Sequence, residues 1–183
     1  MKQARVLTGK GIDAILVEDA AIPRPGSGEA LVRLKAATLN FRDLIVAKGL
    51  IPYVGREPDV VPCSCSAGEV VAVGDGVTRV AIGQRVTPIF SPGWIDGPSP
   101  TKDMLGGSAD GVARQYGVFP AESLSAIPDE LGDLEAATLT CAALTAWAAL
   151  TQFRTTAPGD WILAHGTGGV SIAALQFAKA IGA

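Results

Sequence analysis

Residues 161–182, WILAHGTGGVSIAALQFAKAIG, constrain this chain more than any other stretch. They open with a short apolar run, Trp161 to Ala164, just after the turn signal Pro158-Gly159-Asp160. That is the pattern of a buried parallel strand. The run stops at Gly166-Thr167-Gly168-Gly169, and helical spacing takes over through Val170, Ala173, Ala174, Phe177 and Ile181. A change of period from strand to helix across a Gly-rich turn is the context a dinucleotide-binding fingerprint requires. Glycines let the backbone turn tightly and approach a pyrophosphate, while the new helix aims its unpaired N–H groups at that anion. Gly166, Thr167, Gly168, Gly169, Val170 and Ser171 are therefore the candidate cofactor-binding residues. The pattern reads G-x-G-G-x-S, so Ser171 stands where a third glycine belongs, and packing of the helix on its strand is expected to be strained. A side chain that reads the ribose is expected about 20 residues past the first glycine, but the sequence ends at Ala183. The expectation is a cofactor site opened and left unfinished.

Composition narrows the partners. The chain of 183 residues is 48% apolar and 18% charged, enough for one substantial core, or for one domain and part of another. A net charge of −3 and the lack of a Lys/Arg run exclude the electrostatic footprint of a nucleic-acid binder. The N-terminus has no apolar segment of the kind a secretory signal carries. Three cysteines are too few and too odd in number for a disulfide framework, so a reducing, cytoplasmic setting is expected. Residues 136–153 are free of charge, yet they are Ala-rich and hold Thr138, Thr140, Thr145, Thr151 and Gln152. A buried helix suits them better than a membrane span.

Ahead of residue 133 the chain reads as β-rich, with glycines and prolines punctuating short runs of branched residues. Ala30 to Ala36 alternates, placing Val32 and Leu34 on one face and Arg33 and Lys35 on the other. Gly68–Gly74 and Val77–Val80 flank Asp75-Gly76, a hairpin turn pair. Gly83 to Phe90 and Val112 to Phe119 supply further strands, the last ended by Pro120. Strands at this spacing predict a partly closed barrel. Asn40 caps a short helix that Gly49 ends. Residues 91–110 form a Pro/Gly-rich loop containing Trp94, where loops of this length are usually functional. Asp133 is expected to cap a long helix reaching about Phe153. The resulting division is 1–132, a connecting helix at 133–156, and 157–183.

Taken in order, Leu39-Asn40-Phe41-Arg42-Asp43-Leu44, residues 67–77 (AGEVVAVGDGV), Gly83-Gln84-Arg85-Val86, Ala136-Ala137-Thr138, Leu144-Thr145-Ala146-Trp147, Pro158-Gly159-Asp160 and Gly166-Thr167-Gly168-Gly169-Val170 resemble the medium-chain dehydrogenase/reductase superfamily along essentially the whole chain. The resemblance implies a fold of α+β to α/β class: a GroES-like, partly closed β-barrel lacking its C-terminal return, followed by the first strand–helix unit of a truncated Rossmann fold. It implies NADP as cofactor, with NAD as the alternative, and a small-molecule substrate. It also implies that Thr145 contacts the nicotinamide carboxamide and that Asn40 faces nicotinamide and substrate as the catalytic donor. A threonine packed in an apolar helix and a helix cap are the plainer roles for these two residues.

Alcohol dehydrogenases of this superfamily hold catalytic zinc through Cys, His and Cys, whose thiolate and imidazole donors suit that metal. The resemblance places the first two ligand positions on Asn40 and Ser64, and only Cys141 retains a ligand type. The four-cysteine zinc lobe would fall in 91–110, which has no cysteine. A separate site from Cys63, Cys65, Cys141 and His165 has the wrong spacing, so no metal is expected. The functional expectation is thus NAD(P)H-dependent oxidoreduction of the quinone oxidoreductase or enoyl reductase kind: zinc-independent hydride transfer to a quinone, an enone or a similar conjugated carbonyl. A truncated, non-catalytic fragment or association module is the alternative, with the last helix, apolar on most sides, leading to homo-oligomers. A zinc-type alcohol dehydrogenase is the third.

Overall fold

Branched residues alternating along a strand must pair to satisfy their backbone groups, and pairing decides which of the expected strands exist. The computed structural model describes residues 1–7, 9–50, 59–98, 103–152 and 154–183. Its contacts divide the chain into Met1–Ala137 and Thr138–Ala183.

In the first unit, eight strands form two antiparallel sheets, and among the described residues no barrel closes. The smaller sheet has the order β2-β1-β4, from Ile15–Asp19, Lys2–Leu7 and Asp59–Val60. The larger has the order β7-β3-β5-β6-β8, with β3 at Glu29–Thr38, β5 at Cys65–Val73, β6 at Arg85–Pro88, β7 at Tyr116–Pro120 and β8 at Leu124–Ala126. Phe119, Leu124, Val32, Val70 and Val86 fill the core on this sheet, each at most 1% exposed. The short helix α1, Phe41–Ala47, follows Asn40 as expected and lays Val46 and Ala47 against Val6 and Val60.

Three expectations fail here for physical reasons. Val77–Val80 forms no strand. The Asp75-Gly76 turn instead accepts bonds at Asp75 C=O from Gly28 N–H at 2.9 Å and Ser27 Oγ at 3.2 Å. It serves a neighbouring turn, and β6 becomes β5's antiparallel partner. Asp133 is not a cap: Gly132 takes the N-cap of α2, Asp133–Ala136, because Arg85 holds the Asp133 carboxylate through Nε and Nη2 at 3.1 and 2.9 Å. The long helix is also interrupted after Ala137, and Phe153, its expected end, lies outside the described residues, as do loop residues 99–102.

The second unit continues with a π turn at Leu139–Ala143 and helix α3, Leu144–Thr151. Helix α4, Gly169–Ile181, packs on both: Ala143, Ala146 and Ala173 meet at the centre, and Trp147 and Phe177 stack edge to face at 5.5 Å. Small residues on both sides let the helices approach closely. The expected strand at Trp161–Ala164 is extended chain without a ladder, since a parallel strand exists only through its neighbours. Trp161 is consequently 99% exposed. Among the described residues no helix is long and apolar enough to cross a membrane.

Phe119→Ala should lower unfolding stability by about 3–5 kcal/mol, because it removes a fully buried ring and leaves a cavity. Urea denaturation checks this, and a loss under 1 kcal/mol would show that the ring does not anchor the core.

Candidate functional site

Asn40 sits where β3 leaves its sheet. Register pairs Thr38 with Cys65 across β3 and β5, so the chain beyond Thr38 passes over the start of β5. Thr38 Oγ1 also donates to Ala137 C=O at 3.0 Å, fixing that exit. Asn40 is extended and closes a capping box with Asp43, whose Oδ2 accepts the Asn40 N–H at 2.7 Å. The Asn40 side chain donates through Nδ2 to Cys65 Sγ at 3.4 Å, and Ser64 Oγ lies 3.4 Å from the same sulfur. Ser64 and Cys65 are buried. The capping role weighed for Asn40 is met, and its side-chain amide is turned onto Cys65. Its partner Cys65 was not foreseen from the sequence, because the contact arises from strand register rather than from any motif.

Asp43 is not the solvated first-turn carboxylate that its position suggests. Burial raises its carboxyl above the ordinary range, with the Asn40 N–H, Arg42 and Cys63 pulling the other way. Burial and the facing Asp43 likewise push the Cys63 thiol to about 12. Cys63 also has a φ of 68°, the one positive value found at a non-glycine among the described residues, a conformation that costs energy and clusters at functional sites. Arg42 braces the 91–110 loop, donating from Nη1 to Leu105 C=O at 2.9 Å and lying 4.9 Å above the Phe90 ring. In the 91–110 loop, Trp94 is 46% exposed and donates through Nε1 to Gly97 C=O, so it does not cover the core.

In the second unit, Gly166 takes a φ of 76°, a left-handed conformation that glycine adopts without strain. Gly168 is the N-cap of α4. The Ser171 hydroxyl donates to His165 C=O at 2.7 Å, tying the helix back to the segment before the turn. His165 itself is exposed. Thr145 is exposed on the first turn of α3, three residues beyond Ala142 of the π turn. Ala142 faces Gly169, so the structure brings the glycine turn and the helix carrying Thr145 into one unit. Asn40 belongs to the other unit. Among the described residues no three His, Cys, Asp or Glu side chains converge as metal ligands do, and Cys63, Cys65 and Cys141 form no disulfide.

A carboxyl whose pKa rises on folding contributes stability that is full below its unfolded pKa, about 4, and that falls as pH rises through its folded pKa. Asp43→Asn removes this titration and keeps an oxygen acceptor for Asn40 N–H. The stability of the wild-type chain relative to Asp43→Asn should therefore decline from pH 4 to pH 7 in denaturant titrations. A difference independent of pH would mean that Asp43 is solvated.

Comparison with known proteins follows this geometry. A zinc-type alcohol dehydrogenase-like protein of Schizosaccharomyces pombe is 44% identical over 94% of this chain and 51% of its own length. The chloroplastic quinone-oxidoreductase homolog of Spinacia oleracea is 33% identical over 93% and 50%. The chain thus spans about half the length of these curated relatives. A solved NAD-dependent alcohol dehydrogenase superposes with a TM-score of 0.88 at 34% identity, covering all of this chain and 56% of that one. The mycobacterial protein Rv1454c, solved with NADPH, gives 0.77 at 28% identity, covering all of this chain and 50% of that one. The alcohol dehydrogenase GroES-like domain model matches residues 26–129. That match takes in β3, α1, β5 to β8 and Asn40 with its partners, and the chain belongs to the alcohol dehydrogenase GroES-like domain family of the medium-chain dehydrogenases/reductases.

Proposed function

We propose that the chain belongs to an NAD(P)H-dependent oxidoreductase that reduces a quinone, an enone or a similar conjugated carbonyl without zinc. The observation that carries this reading is the polar cluster at Asn40, Ser64 and Cys65, in which an amide and a hydroxyl stand beside the sulfur. An amide and a buried hydroxyl do not ionise to bind a metal, and here both are turned onto the Cys65 sulfur. The neighbouring Cys63 thiol, pushed to about 12, stays protonated at neutral pH. Zinc needs thiolate, imidazole or carboxylate donors, so this donor set does not suit it.

The same cluster suits hydride transfer to a conjugated carbonyl. A reduced nicotinamide, when bound, supplies the hydride. Asn40 would hold an N–H donor toward the substrate oxygen on which negative charge develops, and a donor already fixed by Cys65 and α1 costs little reorganisation. Thr145, exposed beside the π turn, would orient the carboxamide. Gly166–Gly169 and the first N–H groups of α4 would hold the pyrophosphate, as helix N-termini do for anions. A Cβ on Gly168 would meet nothing within 4 Å, which leaves room for a phosphate. Ser171 spends its hydroxyl on His165 C=O and acts through the backbone shape of the turn. NADP is the favoured cofactor and NAD the alternative. Cysteines outside any disulfide fit a cytoplasmic setting.

A second reading, an association module, draws on Trp161 and Leu163 at 99% and 82% exposure and on Val170, Ile172 and Leu175 at 42–48%. Apolar surface of this kind favours assembly, here into homo-oligomers.

Titration of the 183-residue chain with NADPH and NADH by calorimetry, followed by turnover on a benzoquinone and an enone, tests the first reading. Saturable binding and turnover that survives chelation are expected. Asn40→Asp keeps a helix cap but loses the donor, and should lower kcat about a hundredfold with cofactor affinity unchanged. Stoichiometric zinc whose removal abolishes turnover would overturn the proposal. Concentration-dependent oligomers without cofactor binding would favour the association module.

A further inference from the structure

Cys63 is held in a conformation that suits a glycine. At a φ of 68° it stands in the left-handed region, which a residue with a Cβ enters only at a cost. Its neighbours impose that shape. Gly111 N–H donates to Val61 C=O at 2.7 Å, Ala113 N–H to Pro62 C=O at 3.0 Å and Val112 N–H to Cys63 C=O at 3.0 Å, so residues 61–63 are laced to 111–113. Gly106 and Gly111 lack the Cβ that would run into the Cys63 carbonyl. A strained backbone persists when its surroundings over-determine it, and such positions cluster at functional sites.

What cysteine adds here is a thiol, and that thiol is buried against Asp43. The S–H and the backbone N–H of Cys63 both lie against the Asp43 carboxyl, whose Oδ2 accepts the Asn40 N–H at 2.7 Å. Along the chain, Ser64 and Cys65 follow directly, and Cys65 Sγ accepts a bond from Asn40 Nδ2 at 3.4 Å. Cys63 thus reaches both ends of Asn40: its backbone through Asp43 and its amide through Cys65. We propose that Cys63 is a positioning residue for Asn40, its thiol proton holding the Asp43 carboxyl on the Asn40 N–H while its left-handed backbone aims Cys65 at the Asn40 amide. This rests on the reading of Asn40 as donor to the substrate oxygen, and adds to it a residue that acts through another. No bond is made or broken at the thiol.

Three substitutions in the 183-residue chain separate the thiol from the strain. Cys63→Ser keeps a donor in place, Cys63→Ala keeps the strained Cβ without a donor, and Cys63→Gly removes both. Hydrogen exchange followed by NMR reads the Asn40 N–H. The Gly74 N–H, bonded to Glu29 C=O at 2.8 Å at the far end of β3 and β5, reports the fold as a whole. The Asn40 N–H should exchange roughly tenfold faster in the Ala and Gly variants, the factor of about one hydrogen bond. It should keep its wild-type rate in Cys63→Ser, with Gly74 unmoved in all three. Turnover of the benzoquinone should divide the same way: kcat falls roughly tenfold in Ala and Gly and is restored in Ser, with KM and NADPH affinity unchanged. Cys63→Gly should nonetheless melt above Cys63→Ala, because glycine releases the strain. Wild-type exchange at Asn40 in the Ala and Gly variants would overturn the proposal, as would a kcat that tracks Tm across the three. Fast exchange at Asn40 in Cys63→Ser with Gly74 protected would do so too. Loss of protection at Gly74 in the Ala and Gly variants would show that the thiol holds the fold rather than Asn40, and would also overturn it. If the unmodified chain reduces no quinone, the oxidoreductase reading fails, and the exchange rates alone decide whether Cys63 positions Asn40.

Discussion

The pairing of β3 with β5 is the constraint on which the first unit depends. These are its longest strands, and they join in an antiparallel register from Ala30–Val73 to Thr38–Cys65, with shifts between Leu31 and Val32 and between Leu34 and Ala36. A slip of one residue would turn Val32 and Val70 away from the core and Arg33 and Glu69 into it. At the shift after Leu34 the strands approach so closely that a Cβ on Gly68 would run into Arg33 C=O. The bulges bend β3 and deliver its end over the start of β5. The candidate site is a consequence of that register, since Asn40 reaches Cys65 only because Thr38 is already opposite it.

Around this frame, polar side chains are spent on backbone and on one another in ways that hold the site still. Asp43 accepts the Asn40 N–H and endures burial to do so. Arg42, next to it, bonds to Leu105 C=O, linking α1 to the Pro/Gly-rich loop. Arg85 ties β6 to α2 through Asp133 and through Leu131 C=O at 2.6 Å. Exposed ion pairs such as Lys2–Asp19 contribute little by comparison, being screened by water. Rigidity at Asn40 therefore comes from partly buried, hydrogen-bonded groups on α1 and β5, which is what a preorganised donor needs.

The second unit is built by a different rule. Alanines and a glycine, rather than strands, bring α3, the π turn and α4 together. Small residues bury little apolar area each, so this unit gains closeness of approach more than hydrophobic stabilisation. The large apolar groups nearby, Trp161 and Leu163, remain in water. The glycine turn is nonetheless shaped, because its geometry is set locally by Gly166, by the Ser171 bond and by the Ala142 contact.

Several elements were legible from residues alone. Asn40 followed by a short helix, the alternating strand at Ala30–Ala36 and the helix that follows Gly166–Gly168 all express local rules, and each appears in the structure. The ordered motifs likewise pointed to a superfamily that the comparison bears out. What the sequence could not express was partnership. Val77–Val80 and Trp161–Ala164 carry strand-like residues but have no neighbour to bond. Ile15–Asp19 and Asp59–Val60 pair on β1 without any strong pattern of their own. The helix expected from Asp133 onward does start there, but a π turn at Leu139–Ala143 interrupts what composition alone reads as continuous. Cys65 beneath Asn40 and Ala142 beneath Gly169 are contacts between residues that are 25 and 27 positions apart. Local propensity and periodicity act over one or two turns and were determined by the sequence itself. Register and close packing act across the fold, and only the tertiary structure decided them.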